Sequence, residues 1–126
     1  MSQRNGHLKE AKRIFAYAKK EYRQAKKSKN EMKARQAAEK GYLCLLKAVN
    51  ALFIKSGVKH EHIPIGERGR LHFLGRHADR EFRKSYNDLY KSLHLDAFHE
   101  GIIDYRTLDE EFEDLEALVK SVEAGK

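Results

Sequence analysis

The chain has 126 residues, a net charge of +7, 36% charged residues, one proline and one cysteine. That length makes one domain with enough interior to fold without cross-links, and the lone Cys44 excludes an internal disulfide and any argument for an oxidising compartment. The strongest apolar stretch, Leu43 to Ile54, carries Lys47 and Asn50 and is too short to span a bilayer, so a soluble, cytoplasmic protein without a membrane partner is expected.

The first predicted element begins near Leu8. Leu8, Ala11, Phe15, Ala18, Tyr22 and Ala25 alternate steps of three and four, the stripe of an amphipathic helix, with Asn5 placed to cap it. Its other positions are crowded with lysine and arginine. Ser28, Lys29 and Asn30 break the pattern, and Asn30 is placed to cap a second helix that runs to about Ser56, where Gly57 stops it. The latter half of that helix, GYLCLLKAVNALF, is apolar on more than one face and is the expected central buried element, with Cys44 a small buried hydrophobe. Gly41 in its middle marks a close approach of a neighbouring helix.

Residues 58 to 66 read as a loop punctuated by Pro64 and Gly66. Helical character returns at Glu67, with Gly75 expected to bend this element or divide it, and Phe82, Tyr86, Leu89 and Leu93 form the next stripe. Residues 94 to 104 are expected to interrupt it. Thr107 with Glu110 has the spacing of a capping box for a last helix striped by Phe112, Leu115, Val119 and Val122. No segment alternates polar and apolar residues as a half-buried strand would, so the expected fold is an all-α antiparallel bundle of four or five helices.

Charge is divided along the chain. Residues 1 to 60 hold sixteen Lys and Arg against four Asp and Glu, and residues 101 to 126 hold three against eight. Two consequences are open: the acidic last helix packs beside the basic first one, or the basic half meets a polyanion through residues such as Lys12, Lys19, Arg23 and Arg76.

Three stretches bear on chemistry. IGERGR, residues 65 to 70, has the spacing of a glycine loop that grips a nucleic-acid backbone, but that loop works within an α/β fold and no strands are expected here. Seven histidines include His60-x-His62, yet no Cys/His pairs or Glu-x-x-His repeats accompany them, so no metal and no cofactor is expected. Arg70 and His77 lie seven positions apart, nearly two helical turns, and would project from one side of an unbroken helix. Such a pair suits metal-independent chemistry at a phosphodiester, with the imidazole moving protons and the guanidinium stabilising phosphate charge.

ARQAAEKGYLCLLKAVNALFIKSGV, residues 34 to 58, resembles the second helix of HEPN domains, and LYKSLHLDAFHEGIIDYRTLDEEFEDLEALV, residues 89 to 119, resembles the end of small HEPN-like families of archaea and bacteria. The resemblance implies a helical bundle that often forms a homodimer. In many members it also implies an R-x4-6-H ribonuclease acting as a toxin, some paired with a nucleotidyltransferase-like antitoxin. Arg70 and His77 fit that spacing at its upper limit, with Leu71 where a polar residue usually follows the arginine. Several HEPN-like families lack the active pair altogether, and the expected function is a non-catalytic, homodimeric module that binds a partner protein, a nucleotide or nucleic acid such as RNA through its basic helices.

Overall fold

The computed structural model describes residues 6–125, and among them there is no strand. Five α-helices follow in order: α1 Gly6–Ser28, α2 Glu31–Lys55, α3 Glu67–His77, α4 Arg80–Leu89 and α5 Tyr105–Glu123. A single 3-10 turn, His60–His62, lies between α2 and α3, and α4 continues without a break into a π-helical segment, Tyr90–His99. No described helix is long and apolar enough to cross a membrane.

The central element is α2. Alanines at 34, 37, 38, 48 and 51, with Cys44, Leu45, Val49, Leu52 and Phe53, are buried along it, more than one stripe can account for. Small side chains let α1 approach closely: Ala11, Ala18 and Ala25 have no exposed surface, and the Cys44 thiol meets the Ala11 carbonyl at 3.2 Å. On α5 the buried set is Leu108, Phe112, Leu115, Leu118, Val119 and Val122, and Phe112 stacks on Tyr22 of α1 with ring centres 4.8 Å apart. A Cβ on Gly41 would lie 3.4 to 3.6 Å from Leu93, Leu115 and Phe112, so the π segment and α5 both reach α2 at that glycine.

The helix ends follow from local chemistry. The Asn30 side chain accepts the Lys33 amide at 3.1 Å and starts α2. Gly57, at φ +96, ends it: its amide donates to Ile54 and that of Val58 to Phe53, the paired bonds of a Schellman stop. The Asn5 cap lies outside the described residues.

Three boundaries differ from the sequence expectation. Gly75 neither bends nor divides α3, which runs on to His77; the break falls at Ala78 and Asp79, whose carboxylate accepts the Phe82 amide at 2.8 Å. Residues 94 to 99 remain helical in the π segment, which ends where Arg35 of α2 donates to the Phe98 carbonyl at 3.1 and 2.7 Å, beside Gly101 at φ +71. Asp104, and not Thr107, caps α5: its carboxylate accepts the Arg106 amide at 3.1 Å and the Thr107 hydroxyl at 2.9 Å.

The basic first helix and the acidic last one meet within the chain. Lys12, Lys19 and Lys26, spaced by seven, face Glu123, Glu116 and Asp109, also spaced by seven, at 2.6, 3.9 and 2.6 Å. Antiparallel helices bring such repeats into register. Tyr22 ties the lower rung to the core, its hydroxyl donating to Asp109 at 2.7 Å and to the Tyr105 carbonyl at 2.9 Å.

Every rung is substantially exposed, so each contributes less than about 1 kcal/mol, whereas removing a buried leucine costs about 2–5 kcal/mol. Urea unfolding should accordingly show a loss of that larger order for Leu45→Ala and less than about 1 kcal/mol for Lys19→Ala; comparable losses would mean that the ladder, not the core, sets stability.

Candidate functional site

The sequence-predicted residues occupy three environments. Of the four proposed anion contacts, Lys12 and Lys19 turn toward α5 and pair with Glu123 and Glu116. Arg23 is exposed on the side of α1 that neither α2 nor α5 covers, and Arg76 is exposed near the end of α3. The side of α1 that holds Arg23 is the one the spacing singles out: Lys9, Arg13, Lys20, Arg23 and Lys27 are all exposed, interrupted only by Ala16, opposite buried Ala11, Ala18 and Ala25. Of these five, only Arg13 makes an ion pair among the described residues, with Glu10 at 2.8 Å. At 1.5 Å per residue the stripe extends about 27 Å.

Arg70 and His77 share α3, about 10 Å apart along the helix axis, but serve different surroundings. Arg70 is 7% exposed; its Nη1 donates to Glu67 at 2.6 Å and its Nη2 to the Ile65 carbonyl at 2.9 Å. Glu67 in turn accepts the Tyr86 hydroxyl at 2.7 and 2.9 Å, so the guanidinium belongs to a buried network that joins the start of α3 to α4. Burial first, and then Glu67, push the Tyr86 phenol well above its ordinary pKa, keeping it a hydrogen-bond donor throughout the physiological range.

His77 packs edge-on to Phe53, with ring centres 6.0 Å apart, and lines a groove of about 650 Å³ between α4 and α5. The same groove is bordered by Asp79, Glu81, Asp88 and Asp114, with Lys84 the only lysine or arginine among the described residues that line it. Arg70 does not line it. Glu111 of α5 is buried, and burial, opposed by Ser92 and reinforced by the Asp114 and Asp88 carboxylates, raises its pKa.

One arrangement was hidden in the sequence. Glu39 of α2 and His94 of the π segment, 55 residues apart, meet at 2.8 Å through the imidazole Nδ1. An ionised carboxylate only accepts, so Nδ1 is the donor in this contact. The ring stacks on Tyr42 at 4.1 Å and meets His99 edge-on at 4.5 Å. Its covered face makes it a strut that pins the π segment to α2. The His60-x-His62 pair gains no further ligands: among the described residues no group of three His, Cys, Asp or Glu is placed to hold a metal ion.

No family model, curated protein or solved structure matches the chain.

The buried carboxyl gives a signed pH prediction. A carboxyl whose folded pKa is raised opposes folding once ionised, so its cost is present at neutral pH and is relieved as pH falls through the raised value. Glu111→Gln should therefore raise the melting temperature by a few degrees near pH 7.5, the gain fading toward pH 4. A lower melting temperature at both pH values would contradict the assignment.

Proposed function

We propose that the chain is a non-catalytic, HEPN-like helical module, homodimeric, that binds RNA along the outer face of α1. The observation that carries this reading is the stripe Lys9, Arg13, Lys20, Arg23 and Lys27, in a helix whose other cations are already satisfied by α5. A sequence seeking only intramolecular pairing has no use for four further unpaired cations on one face, whereas a polyanion releases counterions on meeting them. The HEPN-like reading and the dimer are supported by the resemblance of residues 34–58 and 89–119 and agree with an all-helical bundle.

The alternative, a metal-independent ribonuclease of toxin type with a nucleotidyltransferase-like antitoxin, has less support. Arg70 is engaged with Glu67 and Ile65, and a groove bordered by four carboxylates is a poor place for His77 to meet a phosphodiester.

Fluorescence anisotropy with a short single-stranded RNA at low salt checks the reading. The wild-type chain should bind, and the charge-reversed variant Lys20→Glu, Arg23→Glu, Lys27→Glu should bind at least about tenfold more weakly. The RNA should remain intact in EDTA. Cleavage that disappears in His77→Ala would establish the ribonuclease instead, and undetectable binding at low salt would exclude the RNA-binding reading.

A further inference from the structure

A second cationic feature lies where the loop after α2 crosses the start of α1, away from the outer stripe's centre. There a cavity of about 730 Å³ is lined by His7 and Glu10 of α1, Lys47 of α2, and Lys59 and His60 of the loop. His7 Nε2 and His60 Nδ1 are 3.1 Å apart, and the two rings lie nearly parallel with centres 5.1 Å apart. A hydrogen bond between two imidazoles uses one nitrogen of each. The other two nitrogens, His7 Nδ1 and His60 Nε2, are left for a ligand.

Positive charge at this place is not balanced. Lys47 is half-buried and makes no ion pair among the described residues, and Lys59 makes none either. Among the described residues the only carboxylate on the wall is Glu10, held by Arg13 through two bonds, at 3.0 and 2.8 Å. A cation partly withdrawn from water and left unpaired is costly, and an anion in the cavity removes that cost. Burial, then Lys47 and His60, hold the His7 imidazole below its ordinary pKa. The wall is completed by Ile54 and Val58, an apolar surface beside the charged one. Its volume is that of a site for a small organic ligand and exceeds what a bare ion fills.

We infer that this cavity binds a phosphate monoester, its oxygens taken by Lys47 and Lys59 and by the free ring nitrogen of the His7–His60 pair that carries a proton. A free nucleotide and the terminal phosphate of an RNA strand present the same group. The inference stands independently of the outer stripe, because its residues are different.

Isothermal titration of the full chain at low salt, with AMP against adenosine and with a short RNA bearing a 5′-phosphate against the same RNA with a 5′-hydroxyl, tests it. At least one phosphorylated probe should bind tenfold or more tightly than its counterpart. Preference for AMP alone identifies a free nucleotide, and preference for the phosphorylated strand identifies a strand end. Lys47→Gln should abolish the preference, Lys47→Arg should retain most of it, and Lys91→Gln on the exposed side of the π segment should leave it unchanged, with matching circular dichroism showing that each variant is folded. Equal binding of phosphorylated and hydroxyl probes by the wild-type chain would overturn the inference, as would a preference that survives in folded Lys47→Gln.

Discussion

Burying α2 on more than one side is the constraint from which the other helices take their places. An isolated helix that carries Ala37, Cys44, Leu45, Val49 and Phe53 around its circumference cannot remain in water, and α1, α5 and the π segment are the surfaces that cover it. Packing against α2 fixes one side of α1. Packing beside α5 fixes a second, where Lys12, Lys19 and Lys26 find their carboxylates. A third side borders the outer part of α2, where Glu21 meets Lys40 at 2.7 Å. What is left is a narrow outer face, and that face is cationic. The other lysines of α1 are used by the fold itself.

The elements most legible in the sequence are those whose local chemistry needs no distant partner. The stripe of α1 is set by its three-and-four spacing, and the start of α2 at Asn30 and its stop at Gly57 by a side-chain acceptor and a positive φ that glycine adopts without strain. The boundaries that differ depend on competition. Gly75 is exposed with nothing near a would-be Cβ, so a helix interior tolerates it for about 1 kcal/mol and has no reason to bend. Thr107 has capping-box spacing, but Asp104 lies three residues earlier and its ionised carboxylate is the better acceptor, taking the threonine hydroxyl itself. The π segment was obscured by its histidines, aspartate and following glycine, although buried Ala97 continues the stripe of Leu89 and Leu93.

The site was less legible than the fold, because pairing across the fold decides which charges are available. Arg70 and His77 do share one helix, yet Glu67 one turn before Arg70 and the Ile65 carbonyl occupy that arginine, and Tyr86 on α4 donates to the same Glu67. The Glu67 partner was readable at a spacing of three; the tyrosine was not. Lys12, Lys19 and Arg23 look alike in sequence, and only their angular position about α1 separates two ladder rungs from a free surface cation. Glu39 with His94, and His7 with His60, are 55 and 53 residues apart and leave no local trace.

The division of α1 into an inner and an outer set of cations is tested most directly by the salt dependence of RNA affinity. Neutralising Lys20, Arg23 and Lys27 to glutamine should reduce the slope of log K against log salt by about two, at roughly 0.7 for each phosphate contact removed on a single strand. Neutralising Lys12, Lys19 and Lys26 in the same way should leave the slope unchanged and act on stability alone. A slope that falls as much for the inner set as for the outer, or that does not fall for the outer set at all, would contradict the account.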